Sequence, residues 1–202
     1  MAHRHARWCA ALVLWCACAT SAIAAQPVVA IIMDDLGNGF EQTTDALRLP
    51  GRITYSFLPH APHSAQLAAL ANRRGKEVML HLPMEAVSDW PLGPGGLTLD
   101  MTEAAFKTSV THTLHAVPAA SGINNHMGSL LTRHPGHMGW LMEAIRDYSA
   151  PLYFVDSKTT GGSVAYRMAR EHGVPALRRD VFLDSPDSGA AYVRERLTEM
   201  VR

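Results

Sequence analysis

Cysteine is scarce in this 202-residue chain: Cys9, Cys16 and Cys18 are its only three, all near the N-terminus. Beyond Cys18 no disulfide, thiolate metal site or cysteine nucleophile can form, so any metal must be held by histidine and carboxylate. Charge of one sign is missing too. Lys and Arg total 18 against 18 Asp and Glu, which leaves no electrostatic footprint for nucleic acid. Gly37 and Gly39 lack the third glycine and the distal acid of a dinucleotide fingerprint, and there is no phosphate-binding loop. Internal repeats, low-complexity tracts and linkers are absent, which points to one domain with a sizeable core.

No apolar run reaches the ~20 residues of a membrane-spanning helix. The apolar stretch from Trp8 to Ala19 follows a basic start, His3, Arg4, His5 and Arg7, and precedes the small-x-small step Ala22-Ile23-Ala24. This is the layout of a secretory signal over residues 1–24, with an uncleaved membrane anchor as the alternative. No lipobox-like small residue precedes Cys16 or Cys18. The expected product is a periplasmic or secreted domain at 25–202, with no stable membrane span after cleavage.

Short apolar runs then alternate with helical segments. Strands are expected at Val28–Met33, Ile53–Leu58, Glu77–Leu82, Gly122–Asn125 and Leu152–Val155. Extended pieces are expected at Pro175–Leu177 and Val181–Leu183. Helices are expected at Ser64–Arg74, Thr102–Ala116, His137–Tyr148, Ser163–His172 and from Gly189 onward, the last amphipathic. Alternation of this kind builds an α/β fold with a mainly parallel sheet.

Polar residues collect where the strands end: Asp34 and Asp35, His81, Asn124-Asn125-His126, Asp156 and Asp184. Parallel strands bring these ends to one side. Adjacent residues in a regular strand face opposite ways, so the two Asp have different roles. A helix N-cap is the structural alternative for one of them, although Asn38 fills that role. Two His and one Asp are a common three-ligand set for zinc or a similar divalent ion, with a position left open for water. A second carboxylate beside the ligand could serve as general base. His81 could equally be a buried histidine bonded to a carbonyl, and Asp156-Ser157 with Thr159-Thr160 an ordinary capping turn. Asn125, Asp156 and Asp184 are candidates for holding substrate. His60, His63, His112, His115, His134, His137 and His172 read as surface or packing residues, and the methionines as core fillers.

Five blocks carry a family resemblance: Ile31-Ile32-Met33-Asp34-Asp35-Leu36-Gly37, His81-Leu82-Pro83-Met84-Glu85, Gly122-Ile123-Asn124-Asn125-His126-Met127-Gly128-Ser129, Phe154-Val155-Asp156-Ser157 with Thr159-Thr160, and Val181-Phe182-Leu183-Asp184. Together and in order they resemble the divergent polysaccharide deacetylase family, the YibQ-like proteins of bacterial envelopes, within the carbohydrate esterase (NodB-like) superfamily. The resemblance implies a distorted (β/α) barrel of the glycoside hydrolase/deacetylase type. It implies Asp34 as catalytic base and Asp35 as metal ligand, and likens Asn125-His126 to the Asn-His step whose His binds metal. The wider superfamily carries another His four residues on, where this chain has Leu130; His81 takes its place as third ligand. The resemblance further implies a longer C-terminus, with an Ile-Gly-His-Pro-like strand end, so the domain at 25–202 is expected to be incomplete there.

Two functions follow as expectations. One is an exported, metal-dependent N-deacetylase of a polysaccharide or peptidoglycan-like glycan, with zinc as the expected divalent metal. The other is a non-catalytic cell-envelope protein that keeps the fold and binds a glycan or a protein partner.

Overall fold

The structure, a computed structural model, describes residues 28–184 and 189–200. The expected signal at 1–24 and the three cysteines lie outside the described residues. The chain runs β1 (Ile31–Leu36), α1 (Phe40–Ala46), β2 (Ile53–Phe57), α2 (Ser64–Arg73), β3 (Glu77–Met84), α3 (Glu103–Ala116), β4 (Ala120–Met127), α4 (Pro135–Arg146), β5 (Tyr153–Asp156), α5 (Ala165–Glu171), β6 (Ala176–Arg178) and α6 (Ala190–Met200). All neighbouring strands pair in parallel, and their order in the sheet is their order in the chain. A helix follows every strand, and the sheet curls into a half-barrel, an α/β architecture of the (β/α) barrel kind. Among the described residues β1 and β6 are the two edges of the sheet.

Side-chain alternation divides the sheet into two faces. Tyr55, Phe57, Leu80, Leu82, Ile123 and Phe154 face the helices and form one apolar cluster with Leu67, Phe106, Val110, Met138 and Leu141. Each large side chain so buried contributes ~1.5–3 kcal/mol relative to exposure. Met79, Met84, Met138 and Met142 are fully buried, as core fillers should be. The opposite parity, Ser56, His81, Asn124 and His126, faces the inside of the curl. The polar residues of the site are therefore carried on strands whose other face is anchored in the core.

Three local expectations need correcting. The first strand begins at Ile31, not Val28, and contains the Asp pair instead of preceding it. Val28 is 89% exposed, outside the sheet, while Leu36 still pairs with Phe57. The N-cap of α1 is Gly39, not Asn38, and no side chain caps it. Gly37 makes the turn at φ +114°, where a Cβ would stand 1.9 Å from Ser64 Oγ, so only glycine lets this loop lie against α2. Finally, Val181–Leu183 forms no strand. Arg179 bends the chain there: its Nε donates to Ser157 O at 2.6 Å, its Nη2 donates to Lys158 O at 3.0 Å, and its guanidinium lies 4.6 Å from the Phe182 ring. Elsewhere the expected helices hold within two residues. Thr102 caps α3, its hydroxyl accepting from the Ala105 N–H at 3.4 Å.

Candidate metal centre

The site begins with a fault in β1. Met33 pairs with Tyr55 and Leu36 with Phe57, so β1 has one residue more than β2 between these points. The extra residue is accommodated as a bulge, and Asp35 takes φ +62° there. Asp tolerates this left-handed conformation better than most residues because its short polar side chain bonds locally. In a regular strand the two carboxylates would face opposite sides. Here both reach one imidazole: Asp34 Oδ1 lies 3.5 Å from His81 Nδ1, and Asp35 Oδ1 lies 3.2 Å from His81 Nε2. They approach from different edges of the ring, so they stand in different positions despite sharing a neighbour.

β3 and β4 supply the histidines. His126 Nδ1 is 2.9 Å from Asp35 Oδ1 and 3.2 Å from His81 Nε2. One ligand atom from each of Asp35, His81 and His126 thus meets in a triangle with sides of 2.9, 3.2 and 3.2 Å. An ion bonded at ~2.0–2.2 Å to three tetrahedral donors holds them about 3.4 Å apart, so this donor set suits a divalent cation in chemistry and comes within about half an ångström of it in spacing. Among the described residues this is the one group of three or more His and carboxylates able to share an ion. His81 is buried, His126 is 26% exposed at its side chain and Asp35 64%, so the triangle opens to solvent on the Asp35 side.

The electrostatics match. Hydrogen bonds from His126 and then His81 hold the Asp35 carboxyl well below the usual carboxylate range, against the opposing effect of burial. Burial works against charge on His81. The bond to Asp35, the charges of Asp34 and Asp35, and the bond to Asn124 outweigh it, and its pKa stands above the ordinary histidine value. A cation is favoured between these three groups.

Two further residues complete the centre: Ser56, which the sequence does not single out, and Asn124, which it marks only as one of the polar residues at the strand ends. Asn124 stands opposite His81 in the β3–β4 register. Its Oδ1 lies 2.8 Å from His81 Nδ1 and accepts from the Ser56 hydroxyl at 2.6 Å, while its Nδ2 donates to Asp34 Oδ1 at 2.8 Å. Asp34 Oδ1 accepts from the amide nitrogen, which fixes the amide's orientation. The amide oxygen in turn requires the proton of His81 on Nδ1, leaving Nε2 for the triangle. Strand parity could have found Asn124: it sits two residues before His126 and so shares its face.

The candidate substrate residues lie elsewhere. Asn125 has the opposite parity and is buried; its Nδ2 donates to Met127 O at 2.7 Å and its Oδ1 accepts from the Ser157 N–H at 2.9 Å. Asp156, also buried, accepts from Lys158 N at 2.8 Å, Ser163 Oγ at 2.7 Å and Tyr166 N at 3.3 Å, binding the start of α5 to the end of β5. Asp184 is exposed beyond β6. His134 and His137 belong to the start of α4, where His137 Nε2 donates to Leu99 O at 3.1 Å.

The model of the divergent polysaccharide deacetylase family matches residues 31–202. This chain belongs to that family. An uncharacterized protein of Haemophilus influenzae is 36% identical over 176 residues, covering 87% of this chain and 62% of its own length. The uncharacterized protein YibQ of Escherichia coli is 37% identical over 162 residues, covering 80% of this chain and 50% of its own. The family member described here thus spans about half to three-fifths the length of these curated relatives. A crystal structure of an uncharacterized protein from Agrobacterium tumefaciens has the same fold, with a TM-score of 0.77 at 22% identity, over 84% of this chain and 69% of that one.

Proposed function

We propose that this divergent polysaccharide deacetylase family member is an exported, metal-dependent hydrolase that removes N-acetyl groups from a polysaccharide or peptidoglycan-like glycan. The observation that carries the reading is the triangle of Asp35 Oδ1, His81 Nε2 and His126 Nδ1, with sides no longer than 3.2 Å. Bound there, a divalent ion such as zinc supplies a Lewis acid and a water of lowered pKa. Asp35, His81 and His126 would hold it. Asn124 keeps the His81 ring turned with Nε2 toward the centre, the outer-shell arrangement typical of metal-binding histidines. Asp34 has one oxygen fixed by Asn124 and keeps 36% of its side chain exposed, so it can take a proton from a water as general base. Export rests on the basic start, apolar stretch and Ala22-Ile23-Ala24 step of the sequence. No described helix is long and apolar enough to cross a membrane.

A second reading, a glycan- or protein-binding envelope protein without catalysis, is favoured by Leu130, which stands where the superfamily motif has another histidine. The two separate in one experiment. Zinc is titrated into the purified protein, and acetate release from an N-acetylated chito-oligosaccharide is measured with and without it. Stoichiometric zinc and zinc-dependent acetate release are expected. Zinc binding with no release from a panel of N-acetylglycans would favour the second reading, and no zinc binding would overturn the metal centre itself.

A further inference from the structure

A groove of ≈ 290 Å³ runs from the metal centre along the β2–α2 loop and the loop after β3. His126 of the metal centre lines it, together with Pro59, His60, Pro91, Leu92 and Asn38 among others. Its chemistry is unusual in what it omits: no carboxylate, lysine or arginine lines it. The walls are proline and leucine, and the polar side chains are the Asn38 amide and the imidazoles of His60 and His126.

His60 is held in place. Its backbone takes φ +57°, a left-handed conformation that is uncommon outside glycine. Its ring stacks on His112 of α3, with centroids 4.8 Å apart and planes 32° from parallel. Gly95, at φ +79°, passes so close that a Cβ there would lie 3.3 Å from the His60 ring and 2.5 Å from Thr113. Strain of this sort persists where the surroundings enforce it, and it gathers at binding sites. Partial desolvation, and then the His112 imidazole, push the His60 pKa below the ordinary value, so the ring is neutral at pH 7. Trp90, the residue before Pro91 of the wall, is 76% exposed, a large aromatic left in water.

We propose that this groove is the subsite for an uncharged pyranose ring of the glycan, with His60 as its hydrogen-bonding and specificity-determining residue; the assignment rests on the hydrolase or glycan-binding reading above. A pyranose has an apolar C–H face and a rim of hydroxyls. The proline and leucine walls suit the face, and the neutral His60 and Asn38 suit the rim. A simple acyl chain would make no use of the hydrogen-bonding groups that His60 and Asn38, both exposed, offer along the groove. A uronate would find no lysine or arginine among the lining residues to pair with.

Binding tests this without requiring turnover. A neutral tetramer of N-acetylglucosamine and a β-1,4-linked tetramer of glucuronic acid, charged on every ring, are titrated calorimetrically into the wild type, His60→Ala and Leu92→Asp, with zinc affinity and melting temperature measured for each. The neutral tetramer is expected to bind at least tenfold more tightly than the charged one. Each variant should lose at least fivefold affinity for it with zinc affinity unchanged. Equal binding of both tetramers, no binding of either, or an unaltered affinity in both folded variants overturns the proposal. Groove-dependent binding without hydrolysis would sink the hydrolase reading alone. Hydrolysis that is indifferent to both variants would sink the groove alone. Should Leu92→Asp fail to fold, chemical-shift mapping of the wild type decides: shifts on addition of the neutral tetramer must fall at residues 58–62 and 91–94, and their absence there refutes the assignment.

Discussion

Asn124 Oδ1 lies 2.8 Å from His81 Nδ1, and the same amide donates to Asp34 Oδ1 at 2.8 Å. One buried side chain thus sets both the ring orientation of a candidate ligand and the position of a candidate base. The Ser56 hydroxyl, 2.6 Å from Asn124 Oδ1, fills the remaining acceptor site of that oxygen. Outer-shell partners of metal histidines fix the ring's tautomer and orientation and so contribute to metal affinity.

Asn124→Ala is therefore expected to weaken zinc binding by about 10- to 100-fold, although Asn124 never touches the triangle. Ser56→Ala should weaken it less, since the amide keeps its bonds to His81 and Asp34. Competition titration against a fluorescent zinc chelator measures both. An Asn124→Ala variant with wild-type zinc affinity would show that the amide is only a packing group.

The two carboxylates of the bulge are expected to separate by variant. Asp35→Asn removes a charge from the triangle and should cost at least tenfold in zinc affinity and abolish hydrolysis. Asp34→Asn should abolish hydrolysis while most zinc affinity survives, because Asp34 Oδ1 faces Nδ1 of His81, away from the three ligand atoms. Metal analysis beside an acetate-release assay distinguishes them. Equal loss of zinc in both variants would make Asp34 a holder of His81 instead of a base.

The sequence made much of this legible. The β-α alternation places all six strands, counting the extended piece that forms β6, within three residues at their starts, because the strands carry runs buried on the helix-facing side, as Tyr55 with Phe57 and Leu80 with Leu82 do. Asp35, His81 and His126 could be named because they end such runs. The bulge could not be seen. Nothing in Met33-Asp34-Asp35-Leu36 announces that one residue will be extra against Tyr55-Ser56-Phe57, yet that residue aims both carboxylates at one ring. Motif likeness draws the eye to Asn125, whereas strand parity with His126 is the signal that marks Asn124 as facing the triangle. His60 reads as one of many surface histidines because its partners, His112 and Gly95, are distant in sequence.

Gly37→Ala probes the loop that carries the chain from the site to α1. The backbone at φ +114° disfavours any side chain, and the new Cβ would overlap Ser64 Oγ, which itself donates to Leu58 O at 2.5 Å. The expected cost is about 1–3 kcal/mol, seen as a lower urea midpoint with an unchanged slope. Gly136→Ala is the control: it lies in the first turn of α4 with nothing within 4 Å of its Cβ position, so it should be neutral or slightly stabilising. Equal midpoints for the two variants would contradict the packing described for Gly37.

At the opposite end of the sheet, Tyr153 covers Gly122 and donates from its hydroxyl to Glu77 Oε1 at 3.0 Å; Glu77 Oε2 accepts from Thr54 Oγ1 at 2.6 Å. Burial first, then the Glu77 charge and hydrogen bond, raise the Tyr153 pKa well above its ordinary value of 10.0. The sign follows from proton linkage. The folded state holds this proton more tightly than the unfolded state, so the contribution is complete below the unfolded pKa and is lost as pH rises from there toward the folded one. Stability should therefore fall above about pH 10, where unfolded tyrosine ionises and folded Tyr153 does not. Tyr153→Phe removes the titrating group. Its melting temperature should start lower near neutral pH, having lost the bond to Glu77, and then decline less between about pH 9 and pH 11. Some decline will persist, since burial also raises the Tyr55 pKa. Glu77→Gln keeps the burial and removes the charge, so its slope should lie between those of the wild type and Tyr153→Phe. Melting curves across this range for the three proteins make the comparison. Parallel declines in all three would show that Tyr153 does not carry the alkaline sensitivity of the fold.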